Sequence, residues 1–215
     1  MNEAEIFVRD LTSCEDCGKY AVSSTLERWN FLKPCVQYKA HAVWKPDQVK
    51  VLFIAESPPG TSEGYFYDPE KREGYKEILR TELFRLLRID GSDTDRGLAE
   101  FKKREYFLSD AVKCRCDKGT RPQVPTSLAT NCGRNWLMRE LHLLKPNKVC
   151  TLGKAALSAL ATVPGYQELS TEKAGRDCGT VVHGKRPVLV WVFPSDRTSN
   201  YAKGKENIFS KFAHE

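Results

Sequence analysis

The sequence predicts an α/β fold in which a parallel sheet is covered by helices on both faces. Two observations carry this expectation: four short apolar runs that read as buried strands, and intervening stretches whose apolar residues recur at helical spacing. A third is composition. At 215 residues, 40% hydrophobic and 10% aromatic, the chain can bury a full core as one domain.

The first run, VKVLFIA at 49–55, is β-branched and apolar and ends in Glu56-Ser57-Pro58-Pro59-Gly60, through which neither strand nor helix continues. A buried strand followed by a loop is expected. From Tyr75 to Arg88, the residues Tyr75, Ile78, Leu79, Leu83, Leu86 and Leu87 mark a core-facing helix, with Gly91 as its stop. EYFLSDAV at 105–112 predicts a second strand, and the Gly, Pro and charges between Cys114 and Pro125 predict a loop. Thr126 is the expected N-cap of a helix turning Leu128, Cys132, Trp136, Leu137, Leu141 and Leu144 inward and ended by Lys145-Pro146. NKVCTLG at 147–153 predicts a third strand, KAALSALA after Gly153 a short helix, and PVLVWVFP at 187–194 a fourth strand. There is no internal repeat and no low-complexity tract. In such sheets ligands bind beyond the carboxyl ends of the strands. Glu56 to Gly60, Asp110 and Ser195 to Ser199 fall there.

Lys and Arg outnumber Asp and Glu by 34 to 28, a net charge of +6 that favours a polyanionic partner. The cations cluster: Lys113, Arg115, Lys118, Arg121 and Arg134 surround the later cysteines, and Arg197, Lys203 and Lys205 follow the last strand. Both groups are expected at phosphates. With no secretory leader and no apolar run that could cross a bilayer, the expectation is an intracellular, cytoplasmic protein without a membrane partner. In that reducing setting, eight cysteines argue for thiolate-bound metal more than for disulfides. Cys14-x2-Cys17 forms a chelating turn, and Cys114 and Cys132 follow far downstream. The spacing leaves open a chance pair, a zinc site and an iron-sulfur cluster. Cys35, Cys150 and Cys178 are expected to be ordinary thiols, with Cys150 packed inside a strand.

Several motifs stand in order along the chain: Cys14-x2-Cys17; Ala55-Glu56-Ser57-Pro58 with Pro59-Gly60 behind; and Asp110-Ala111-Val112-Lys113-Cys114-Arg115-Cys116. Arg121, Pro122 and Pro125 then lead to Cys132, followed by Leu144-Lys145-Pro146 and Leu152-Gly153-Lys154-Ala155-Ala156. This series, from about residue 10 to residue 200, resembles the iron-sulfur uracil-DNA glycosylases, the family 4 type of the uracil-DNA glycosylase superfamily. The resemblance implies a three-layer α/β/α fold with a four-stranded parallel sheet in a single domain over 1–215. It also implies a monomer that flips a damaged or deaminated base out of DNA and hydrolyses its N-glycosidic bond in base-excision repair. By the same resemblance Cys14, Cys17, Cys114 and Cys132 would hold a [4Fe-4S] cluster, with zinc as the alternative metal and Cys116 as an alternative to Cys114.

Base excision needs a stabilised leaving base, a positioned water and a platform for the flipped nucleotide. Glu56 matches the family's loop glutamate, which would orient or deprotonate the water and stabilise an oxocarbenium-like sugar. Ser57 beside it either assists that water or is passive, and the backbone near Pro59 and Gly60 would hold base or phosphate. In Gly64-Tyr65-Phe66-Tyr67 the ring expected to stack on the base is Tyr67, or Phe66 if the loop is shifted by one.

Two positions depart from the family. Asp110 stands where an asparagine reads uracil; ionised, it only accepts and suits an exocyclic amino group, whereas protonated it can donate. Phe193-Pro194-Ser195 replaces His-Pro-Ser after the last strand, leaving Arg197 as the nearest cation for an anionic leaving base or a phosphate. His41, His142, His183 and His214 are expected in structural or exposed places. DNA contacts are expected from Lys113, Arg115, Arg121, Thr198, Ser199, Asn200, Lys203 and Tyr201, the last as a wedge. The departures keep an alternative open: a superfamily member that binds nucleic acid without excision.

Overall fold

The computed structural model describes residues 2–14, 33–59, 64–69, 78–114, 124, 126–169, 179–183, 186–191 and 204–215. Within them β1 (Val51–Ala55), β2 (Tyr106–Asp110), β3 (Lys148–Leu152), β4 (Thr180–His183) and β5 (Pro187–Trp191) form one sheet in the order β2-β1-β3-β5-β4. The four strands expected from the apolar runs are all present and run parallel. The sheet nonetheless has five strands, because β4 adds an antiparallel edge to β5. An edge strand pairs on one side only and needs no continuous apolar run, so TVVH left little trace in the hydrophobic pattern.

Register sorts the side chains onto two faces. Phe53 lies opposite Leu108 and Cys150, and its ring meets Phe101, Tyr106 and Phe209 at 5.8, 5.7 and 5.8 Å. Helices α3 (Ile78–Leu87), α4 (Thr94–Lys103) and α8 (Glu206–His214) belong to this face. Ile54, Ser109 and Thr151 point the other way, towards α5 (Thr126–Cys132), α6 (Met138–Leu144) and α7 (Lys154–Leu160). The result is a layer of helices on each side of the sheet, the α/β architecture that the alternation of elements predicts.

Some elements differ from expectation. The predicted helix over 75–88 is described over Ile78–Leu87, and Ile78 is 62% exposed rather than core-facing. Tyr75 lies outside the described residues. The single helix expected after Thr126 contains a π-helical turn, Gly133–Leu137, between α5 and α6; it ends where expected, with Lys145 left-handed at φ 45°. Helices α1 (Glu3–Thr12), α4 and α8 were not anticipated. Two of them carry readable caps: Asn2 and Glu5 exchange side chain to backbone bonds of 2.9 Å, and the Asp93 side chain accepts from Arg96 N at 2.9 Å. A short α2 (Pro34–Gln37) and a π-helical turn at Ala40–Trp44 precede β1. Among the described residues no helix is long and apolar enough to cross a membrane.

Candidate active site and thiol centre

The carboxyl ends of β1 and β2 are held together beyond the sheet itself. Ala55 lies opposite Asp110, and the pairing continues as Ala111 N donates to Ala55 O (2.8 Å) and Val112 N to Glu56 O (3.0 Å). Glu56 and Asp110 therefore stand at neighbouring strand tips on the carboxyl edge of the sheet, and Glu56 follows β1, the strand at which the order reverses between β2 and β3. Asp110 is 4% exposed. Glu56 Oε1 accepts from Val124 N at 2.7 Å, which ties the tip of β1 to the chain just before α5. Ser57 Oγ is buried with no hydrogen-bond partner among the described residues. Leaving such an atom unsatisfied costs about 1–3 kcal/mol, so the position suits a water or ligand atom. Pro59 is half-buried beside it.

The aromatic segment that follows faces inward. Phe66 packs against Phe84 and Phe101 at 5.9 and 5.1 Å, and Tyr67 stacks on Phe107 at 5.7 Å. The Tyr67 hydroxyl accepts from Leu108 N (2.8 Å) and donates to Leu108 O (3.1 Å), satisfying outward-facing backbone groups of the edge strand β2. Burial pushes that hydroxyl well above the usual tyrosine pKa. Arg80 Nη1 pins the segment by donating to Phe66 O (3.0 Å) and Asp68 O (2.6 Å). Both rings expected as base platforms are thus enclosed by protein.

Lys113 requires a correction. Expected on a phosphate, it is 2% exposed, and its ammonium donates to Ser109 Oγ and Glu140 Oε2. The chain bends at Ala111 and Val112 just past the end of β2, and Lys113 reaches back to Ser109 and across to Glu140 on α6. Glu140 is 0% exposed and also takes the Ser109 hydroxyl, while His41 Nε2 lies 2.8 Å from its Oε1. Burial alone would raise the Glu140 pKa; the Lys113 ammonium and then His41 outweigh it and hold the carboxyl at about 2. Glu140 was missed, yet a signal existed. Leu137, Glu140, Leu141 and Leu144 stand at i, i+3, i+4 and i+7, which puts an acid on the apolar face of a helix. His41, expected to be structural, rests between Phe7 and Phe107 with both centroids at 5.2 Å.

Cys114 follows Lys113 directly and is buried, as is Cys132 at the end of α5. Four residues after Cys132, the Trp136 indole Nε1 donates to Cys14 Sγ at 3.2 Å. Cys14 is thereby held against the π-helical turn that follows α5, although far from it in sequence. Thiols of this kind, one of them accepting an N–H, are the donor type that zinc and iron-sulfur clusters take. Among the described residues no three His, Cys, Asp or Glu side chains converge to hold a metal ion. The fourth expected donor, Cys17, lies outside the described residues, as do Gly60, Arg115, Cys116, Arg121, Arg197, Thr198, Ser199, Asn200, Tyr201 and Lys203. Cys35 is a different case: burial pushes its thiol up to about 12, which makes it inert. Cys150 is buried within β3, the packing position expected for it.

The family model of the uracil DNA glycosylase superfamily matches residues 42–215. No curated protein matches the chain. The matched span contains all five strands, both acids at the strand tips, Cys114 and Cys132; α1 and Cys14 precede it. It covers far more than half of the sequence and agrees with the α/β sheet described above, so the chain belongs to the uracil DNA glycosylase superfamily.

Proposed function

We propose that the protein is a DNA glycosylase that accepts a damaged or deaminated base flipped out of DNA and hydrolyses its N-glycosidic bond. The observation that supports this most is the pair of acids, Glu56 and Asp110, at adjacent tips of parallel strands within a superfamily of such enzymes. Glu56, anchored through Val124 N, orients and deprotonates the attacking water and offsets positive charge on the sugar. Ser57 Oγ gives that water a second bond. Asp110 reads the base edge: ionised it accepts from an exocyclic amino group, and protonated it donates to a carbonyl. Pro59 and Gly60 offer backbone to base or phosphate, and Arg197 offsets charge on the leaving base. Arg115, Arg121, Thr198, Ser199, Asn200, Tyr201 and Lys203 meet the DNA.

Cys14, Cys17, Cys114 and Cys132 would hold a [4Fe-4S] cluster, or alternatively zinc, as a cross-link between the N-terminal segment and the chain after β2. The protein acts as a monomer in this reading. The test incubates wild type and Glu56→Gln with oligonucleotides containing uracil, hypoxanthine, xanthine or mismatched cytosine, then treats them with alkali. Strand scission by the wild type, lost in Glu56→Gln with DNA binding intact, is expected. Absence of scission with every base would replace this reading with nucleic-acid binding alone.

A further inference from the structure

We propose that the protein carries a seat for an acidic segment of a partner protein, which lodges an apolar side chain against Leu141, Val163 and Tyr166 and turns its carboxylates to His142, Lys145 and Arg186. The inference does not depend on whether the protein excises a base.

The seat is a hollow of about 180 Å³ beside the last turn of α6. Its floor is apolar, since Leu141, Val163 and Tyr166 line it and are otherwise buried. Three cations border it, and no acid does. Among the described residues no carboxylate pairs with His142, Lys145 or Arg186. Cations suit the carboxyl end of a helix, where they answer its dipole, and this accounts for His142 and Lys145. It does not account for Arg186, which arrives from the chain just before β5. Burial raises the pKa of the Tyr166 hydroxyl and the Arg186 charge acts against that rise, so this cation stands close to the apolar floor.

Size and charge select the occupant. Sites for free small molecules enclose about 300–1,000 Å³, so the hollow suits a single side chain better than a cofactor. Unanswered cations around an apolar floor are complementary to carboxylates that flank an apolar residue. A second hollow, of about 480 Å³ and lined by Phe7 and Leu143, adjoins the first through His142 and Lys145. Glu3 is the one acid on its border, against Arg139, His142 and Lys145. A peptide crossing the end of α6 can set a second apolar side chain there.

Nucleic acid is the other polyanion, and position argues against it. Lys145 precedes β3 and Arg186 precedes β5, so both stand at the amino edge of the parallel strands, opposite the edge that carries Glu56 and Asp110. The 5 residues of each strand separate the two edges by about 16 Å. DNA lying across the carboxyl edge leaves the seat open.

The experiment titrates the isotope-labelled full chain with a short synthetic peptide of Asp and Glu around phenylalanine and leucine, and follows amide shifts by NMR. Shifts are expected at 141–145, 163–166 and 186, with an affinity that falls as salt rises. Control peptides with Asn and Gln for the acids, or Ser for the apolar pair, should each bind at least about fivefold more weakly. Lys145→Glu combined with Arg186→Glu removes two attractions and adds two repulsions, and should weaken the acidic peptide by at least about tenfold. Its affinity for a duplex oligonucleotide should stay at the wild-type value. Undiminished peptide binding by the folded double variant would overturn the proposal, as would shifts that leave 141–145 and 163–166 untouched. A control peptide without acids that binds equally well would do the same. Weaker duplex binding with a salt slope reduced by about 2 would assign these cations to DNA instead. If the double variant does not fold, Lys145→Gln and Arg186→Gln decide singly, and unchanged peptide affinity in both overturns the seat.

Discussion

Replacing Lys113 by methionine should destabilise the protein severely and leave its DNA affinity nearly unchanged. In the native state the ammonium and the Glu140 carboxylate are both buried, together with Ser109 Oγ and the His41 ring. Removing one partner of a buried pair costs about 3–5 kcal/mol, because the remaining charge is left in a medium that cannot solvate it. For a chain of this size each kcal/mol shifts the melting temperature by about 2–4 °C, so a drop of roughly 6–20 °C is expected.

The pH dependence has a definite sign. The Glu140 pKa is depressed from 4.5 to about 2 in the folded protein. Its stabilising contribution is therefore complete above about 4.5 and fades as the pH falls towards 2. The gap between wild type and Lys113→Met should be widest near neutral pH and narrow on acidification. Urea unfolding from pH 7 down to pH 3 measures this, with the slope m checked for constancy. Replacing Lys113 and Glu140 together by methionine should restore part of the loss. A variant within about 1 kcal/mol of wild type at neutral pH would refute the buried pair. So would a gap independent of pH, or a salt slope of DNA binding reduced by about 1, which marks a lost phosphate contact.

Gly133→Ala places a Cβ 2.5 Å from a backbone oxygen of α7 and should cost about 1–3 kcal/mol, read by thermal melting. Tyr67→Phe strips the hydroxyl from buried Leu108 N and O and should cost about 1–3 kcal/mol in urea unfolding, with no change in the order of preferred bases. Asp110→Asn should shift excision towards uracil in an assay that scans lesion bases; an unchanged profile would mean that this position does not read the base edge.

The parallel strands were legible because a strand buried on both faces writes a continuous apolar run into the sequence, as VLFIA and PVLVW do. The polar residues at their ends followed from the same pattern, which is why Glu56 and Asp110 were picked out. Strand β4 carries only Val181 and Val182 as apolar residues and pairs on one side, so it escaped. Glu140 was visible as an acid among Leu137, Leu141 and Leu144, but its partners were not. The basic charge next to Cys114 looked like a phosphate contact for the same reason: a lysine in a polar neighbourhood reads alike whether it points out or in.

By itself, the sequence determined the four parallel strands, the helices after Thr126 and Gly153, and the acids Glu56 and Asp110 at strand ends, because the period of hydrophobicity is a local property. Tertiary structure alone decided that Lys113 is an interior cation, that Phe66 and Tyr67 are walled in, and that Cys14 meets Trp136. Each of those depends on a partner brought from a distant segment, and the free energy of a charge, ring or sulfur is set by what surrounds it after folding rather than by its neighbours along the chain.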